Sequence, residues 1–257
     1  MTLAIIIQAR MGSSRLPGKV LKEVCGQSLL AHLVARLRQL PDYGIDDATI
    51  VVATTIKDSD DAIAAECEGL GVCAVRGSED DVLDRFVQAS RAVSAETILR
   101  ITADCPLLDP RLVAMTIDEY FSRDIEYLSN GAEGCLPLGM SVEVMNRCAL
   151  ERAGREAQQQ YQREHVTPYF YDEEGRFRIA KIGWPQAMRL SWPEDLSAHR
   201  WTVDTPEDFD QIVRIFEAGY KAGEAFGIRE ILDVVEANPE WSEINSEVVQ
   251  KHYLEVG

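Results

Sequence analysis

Positive charge is outnumbered in this sequence. Its 257 residues carry 26 lysines and arginines against 43 aspartates and glutamates, a formal net charge of -17 at pH 7. Phosphate backbones and anionic membranes reward the opposite sign, so a general nucleic-acid or membrane-surface binder is excluded. None of the six cysteines (Cys25, Cys67, Cys73, Cys105, Cys135 and Cys148) stands in C-x-x-C spacing, and no histidine pair accompanies them at zinc-ligand spacing. They read as small buried thiols in a reducing cytoplasm. No apolar run approaches the roughly 18 residues of a membrane span. The N-terminus lacks a signal-peptide pattern: the apolar stretch Leu3 to Ile7 is short and Arg10 follows it, which suits a first strand. Repeats and low-complexity linkers are absent too. What remains is a cytoplasmic globular chain. Its 46% hydrophobic and 27% charged residues fit that class. The length suits a single α/β domain, within which residues 124–200 form a substrate-facing or dimer-forming subdomain.

The scarce cations are concentrated near the start. Residues 1–40 hold Arg10, Arg15, Lys19, Lys22, Arg36 and Arg38 with one acid, Glu23, a balance of +5 against -22 for the remainder. A positive loop in an acidic chain points to a small anionic ligand. Arg36 and Arg38 fit equally well on a solvated helix face.

Strand-like and helix-like segments alternate. Leu3–Gln8, Thr49–Ala53, Val72–Val75 and Thr97–Ile101 are short, apolar and β-branched, as buried strands are. Ser28–Leu40 carries an apolar stripe at helical spacing. Asp60–Glu68 reads as a helix, Ser78 with Asp81 as a capping box opening another, and Asp109-Pro110 as a cap and first turn. Alternation of this kind means βαβ units and a mostly parallel sheet, with ligands beyond the carboxyl ends of the strands. Further strands are expected at Ile125–Leu128, Ser141–Met145, Phe177–Ile182 and Trp201–Val203. A helix should start at Pro206, and the tail from Ile228 to Tyr253 looks helical.

Five constellations carry chemistry. The first, Gln8-Ala9-Arg10-Met11-Gly12-Ser13-Ser14-Arg15-Leu16-Pro17-Gly18-Lys19, lies between a strand and a helix. Its glycines let backbone approach phosphate, and Arg10, Arg15 and Lys19 neutralise it. It is neither a Walker A loop nor a dinucleotide fingerprint. The second places Ala103 and Asp104 just past a strand, where a carboxylate suits magnesium. In the third, Thr205 and Asp208 box the next helix and leave Asp204 free for the same ion. The fourth, from Arg76 to Arg85, sends Arg85 toward the nucleotide. The fifth, Arg163 and His165 with Glu143 upstream, suits a sugar acceptor. Two carboxylates sharing one crevice repel. An Asp-to-Asn change at Asp104 or Asp204 is therefore expected to spare or even stabilise the empty fold.

The segments IIQARMGSSRLPGKVL, VRGSEDDVLDRF, RITADCPLLDP, REHVTPY and HRWTVDTPEDF, in this order from Ile5 to about Phe209, resemble the SpsF-type proteins of the acylneuraminate and 3-deoxy-manno-octulosonate (Kdo) cytidylyltransferase superfamily. The resemblance implies a three-layer α/β/α nucleotidyltransferase fold, Rossmann-like, with a mostly parallel mixed sheet, often as a homodimer. It implies CTP as donor, magnesium as cofactor and a small acidic sugar as acceptor. By motif position, Arg10 and Lys19 fall on triphosphate sites and Asp104 and Asp204 on magnesium sites. Gln8, Ala9, Arg10, Met11, Gly12, Ser13, Arg15, Lys19, Arg85 and Ala103 make the nucleotide site, with Arg10, Lys19 and Asp104 catalytic and Glu143, Arg163 and His165 on the acceptor. Two positions depart from the pattern. Val20 replaces the Asn that follows the loop Lys in sialic-acid enzymes, and Ser141 replaces an Asp. The rival readings are a nucleotidyltransferase using another NTP or a sugar 1-phosphate, a GT-A-like glycosyltransferase, and a non-catalytic nucleotide-sugar-binding protein.

Overall fold

The computed structural model describes residues 2–131, 134–185, 195–221 and 226–250. Strand β1 (Leu3–Gln8) is aliphatic and buried on both faces, the pattern of a central parallel strand. It pairs in parallel with β4 (Ala48–Thr55) and β6 (Thr97–Thr102), and β4 pairs in parallel with β5 (Cys73–Gly77). A short hairpin, β2 (Glu23–Val24) and β3 (Gln27–Ser28), stands apart. The main sheet continues through β8 (Glu143–Asn146), β7 (Tyr127–Ser129) and β9 (Ile179–Lys181), in the order β5-β4-β1-β6-β8-β7-β9. Within this sheet, among the described residues, only β8 runs antiparallel to its neighbours. The segment after residue 124 thus extends the same sheet.

Side chains alternate across β1 and divide the core in two. Leu3, Ile5 and Ile7 face one layer, with α1 (Leu29–Leu37), α4 (Pro110–Phe121), α8 (Pro206–Gly219) and α9 (Ile228–Ala237). Ala4 and Ile6 face the other, with α3 (Val82–Ala92), α5 (Arg147–Glu156) and α7 (Pro168–Tyr171). Shorter helices are α2 (Asp61–Leu70) and α6 (Gln160–His165). This is a three-layer α/β/α fold with a mostly parallel mixed sheet, the architecture the resemblance implies.

Caps set several boundaries. Ser28 accepts from the Ala31 N–H at the start of α1, and Asp109 accepts from Arg111 and Leu112 with Pro110 at the first helical position. Thr205 and Asp208 close the expected box on α8. Six expectations need correction. Cys25, Cys73 and Cys148 are exposed rather than buried. Arg36 is buried rather than solvated and donates to the Phe226 carbonyl at 2.6 Å. Helix α3 begins at Val82, because Asp81 rather than Ser78 is the cap. The first helix ends at Leu37, and Leu40–Tyr43 is a 3-10 turn containing Pro41 and closed by left-handed Gly44. The C-terminal helix ends at Ala237, before Pro239 opens a 3-10 turn; residues 251–253 lie outside those described. Trp201–Val203 is no strand. A single parallel bridge joins Leu138 to Arg200, and no ladder continues from it among the described residues. At Gly139, with φ 104°, a Cβ would lie 2.7 Å from the Trp201 carbonyl oxygen.

Candidate active site

Beyond Gln8 the chain leaves the sheet and folds back on itself. Gly18, in the left-handed region at φ 70°, donates to the Met11 carbonyl at 2.9 Å. The Met11 N–H donates to the Asp60 carboxylate at 2.9 Å. The other oxygen of Asp60 accepts from the hydroxyls of Thr54 (3.0 Å) and Thr55 (2.6 Å) and from the Thr55 N–H (3.1 Å). Asp60 is 1% exposed. A buried carboxylate with this many donors stays ionised: burial opposes the charge, but the donors win and hold its pKa below the ordinary value. Asp60 therefore pins the loop from the β4 side.

The loop ends by delivering Lys19 into the sheet edge. Its Nζ donates to Asp104 at 2.7 Å, to the Val203 carbonyl at 2.7 Å and to Asp204 at 2.9 Å. Asp104 and Asp204 are thus within one ammonium's reach of each other. Asp104 arrives on the turn after β6. Asp204 arrives on a segment stitched to that turn by hydrogen bonds from the Val203 N–H (2.8 Å) and the Thr202 hydroxyl (3.2 Å) to the Asp104 carbonyl. Asp204 also pairs with Arg15 at 3.0 Å and Arg200 at 2.9 Å. Burial alone would lower the Lys19 pKa, but the two carboxylates more than offset it and the value is raised. Burial would raise Asp204, and Lys19, Arg15 and Arg200 outweigh it, so its pKa is lowered.

These groups open onto a cleft of about 920 Å³. Gln8, Thr102, Asp104 and Asp204 line one side; Tyr127, Ser141, Glu143, His165 and Lys181 line the other. Between them stands Arg100. It is the cross-strand partner of Glu143, forms an ion pair with it, and donates to the Gln8 side-chain oxygen at 3.2 Å. The Tyr127 hydroxyl donates to the other Glu143 oxygen.

A family model of cytidylyltransferases matches residues 4–238. The chain belongs to the cytidylyltransferase family. It is 39% identical to the uncharacterized protein MJ1063 of Methanocaldococcus jannaschii, over 98% of this chain and 97% of that one. It is 38% identical to the spore coat polysaccharide biosynthesis protein SpsF of Bacillus subtilis, over 93% of this chain and 95% of that one. Among solved structures, a cytidylyltransferase from Leptospira borgpetersenii superposes with a TM-score of 0.83 at 26% identity, covering 98% of this chain and 100% of that one.

In this cytidylyltransferase the remaining motif residues take separate places. Arg10 is partly exposed and lies 3.8 Å from Glu79, across the loop from Gly12. Arg85 is fully buried and donates to the Ser78 and Glu79 carbonyls, so it supports the 77–79 loop from beneath. Arg163 is absent from the cleft lining. Its guanidinium pairs with Asp81 and donates to the Gly154 carbonyl at 2.7 Å, tying α6 to the start of α3. His165 does line the cleft. Burial and the charges of Arg100 and Arg10 lower its pKa despite Glu164. Sequence reasoning missed Asp60, Arg100, Tyr127 and Lys181, the last lying 4.4 Å over the Tyr171 ring. Asp104 and Asp204 are the cleft carboxylates that would suit magnesium, which takes one or two protein carboxylates alongside phosphate oxygens. Among the described residues no group of three metal-binding side chains exists, so an ion held there would draw the rest of its shell from nucleotide and water.

Proposed function

We propose that this chain transfers CMP from CTP to a hydroxyl of a small acidic, nonulosonate-like sugar or related acceptor, releasing pyrophosphate, in surface polysaccharide biosynthesis. The observation that carries the reading is the meeting of Asp104 and Asp204 on Lys19, at the end of the glycine-bearing loop and at the mouth of a two-sided cleft. The likeness to SpsF and to the wider acylneuraminate and Kdo superfamily supports the donor, the acceptor class and the pathway.

Phosphoryl transfer of this type is mainly positioning and charge neutralisation. Held by Asp104 and Asp204, magnesium would draw charge from the α-phosphate. Arg10, Arg15 and Lys19 take up the charge that develops on the leaving pyrophosphate. Gln8, Ala103 and the 9–13 backbone hold the nucleotide. Glu143 and His165 face the acceptor. No protein nucleophile is required. A homodimer using residues 124–200 belongs to the same proposal, and sedimentation showing a dimer at tens of micromolar would support it.

Pyrophosphate release decides the main point. The assay runs each of the four NTPs against a panel of acidic sugars and sugar 1-phosphates, with and without EDTA. Release with CTP and an acidic sugar, abolished by EDTA, is expected. Release with another NTP alone, or with a sugar 1-phosphate alone, overturns the reading.

A further inference from the structure

The family match ends at residue 238, yet the chain beyond it returns to the cleft. Asn245 is 4% exposed. Its amide N–H groups donate to Asp208 (2.9 Å), Gln211 (3.1 Å) and the Arg200 carbonyl (3.2 Å). Two of these residues, Asp208 and Arg200, place Asp204. The buried Asp208 carboxylate accepts from the Asp204 N–H at 2.9 Å and the Thr205 N–H at 3.0 Å. It also pairs with Arg200 at 2.7 Å, and Arg200 in turn holds the Asp204 carboxylate.

The segment then reaches the cleft itself. The Val249 carbonyl accepts from Arg15 at 3.4 Å. Gln250 is exposed and lines the cleft beside Asp204. Its side-chain oxygen accepts from Arg200 at 2.7 Å. A guanidinium only donates, so the atom on Arg200 must be the amide oxygen. The amide NH2 is what Gln250 has left to offer the cleft.

We propose that residues 245–250 form a wall of the active site, in which Gln250 donates an amide hydrogen bond to a phosphate oxygen of the bound nucleotide. Asn245 is the positioning residue, holding both that wall and Asp204. The inference rests on the cytidylyltransferase reading of the cleft.

Gln250→Glu separates the two ends of the amide. It keeps an oxygen for Arg200 but replaces the donor with a carboxylate. Titration calorimetry with CTP and magnesium should show Kd raised about tenfold or more in Gln250→Glu, and roughly three- to tenfold in Gln250→Leu. Both should unfold at the wild-type temperature. Asn245→Leu should lower kcat and raise the magnesium concentration for half-maximal rate, with a smaller change in KM for CTP. If Asn245→Leu does not fold, Gln211→Leu, which removes one of the three acceptors that orient the Asn245 amide, should move the magnesium requirement the same way. A Gln250→Glu protein binding CTP as tightly as wild type overturns the proposal, since Gln250 then serves Arg200 alone. An unchanged magnesium requirement in the position-245 or position-211 variant also overturns it. Wild type that binds no CTP fails the cytidylyltransferase reading itself, and the inference falls with it.

Discussion

Replacing Asp204 by Asn should destabilise the empty protein at neutral pH. The sequence alone suggests the reverse, because two carboxylates converging on one crevice repel. The structure puts Lys19 between them. The cluster holds Lys19, Arg15 and Arg200 against Asp104, Asp204 and Asp208, and is balanced. Asn at 204 leaves three cations facing two carboxylates. Removing one partner of a fully buried pair costs about 3–5 kcal/mol, and of an exposed pair about 0–1 kcal/mol. The Asp204 side chain is 15% exposed, so about 2–3 kcal/mol is expected. The pH dependence has a definite sign. The folded-state pKa of Asp204 is depressed, so its contribution is fully present above the unfolded value near 3.9. It is lost as pH falls through the folded value. The gap between wild type and Asp204→Asn should therefore be full at pH 7 and shrink below about pH 4. Urea denaturation of both proteins, without metal or nucleotide, measures it, provided the m-values agree. An Asp204→Asn protein as stable as wild type at pH 7, or more stable, would refute the argument that Lys19 and the arginines neutralise the site.

Three further outcomes follow from the same geometry. Arg10→Ala should weaken CTP binding by about 2 kcal/mol or more, as losing a charge-assisted phosphate contact does, and Lys19→Ala should weaken it by a similar amount, because Asp104 and Asp204 lose the cation that holds them together; calorimetry showing unchanged affinity in both would remove the loop from the nucleotide site. Asp60→Asn should cost about 1–3 kcal/mol of stability, because its amide confronts one of the donors now satisfied, and CTP affinity should fall with it; a change in neither would mean that Met11 does not depend on Asp60. Gly139→Ala should cost more than about 1 kcal/mol, from the left-handed backbone and the crossing at Trp201; thermal unfolding at the wild-type temperature would show that the crossing relaxes freely.

Local signals were legible and long-range ones were not. The β-branched run at β1, the Asp109-Pro110 start and the Thr205–Asp208 box all act within a few residues, where pattern and mechanism coincide. Asp104 and Asp204 were placed in one crevice, but for a partly wrong reason. Asp204 follows an irregular segment crossing Gly139, not a strand end. Asp60 looks like a helix start because it precedes α2, whereas its carboxylate turns back to Thr54, Thr55 and the loop. Arg163 looks like a ligand residue because it neighbours His165; its partner, Asp81, stands 82 positions away. Arg100 and Glu143 meet only because β8 runs antiparallel to β6, and no local pattern gives a strand its direction.

That reversed strand has a consequence for how such a protein changes over time. A strand running against its neighbours presents its first residue, not its last, at the edge where β1 and β6 finish. Glu143 therefore enters the cleft as the chain arrives from one long excursion, and His165 and Lys181 come from the next. The bank that the proposal gives to phosphate is built from residues 8–19 and 102–104 together with the 200–208 segment, whose anchors lie elsewhere. Insertions between α4 and β8, or between α5 and β9, can reshape one bank of the cleft while the backbone of the other stays fixed. On the proposed reading, the acceptor preference would then be open to change through these two excursions while Lys19 and its two carboxylates keep their places.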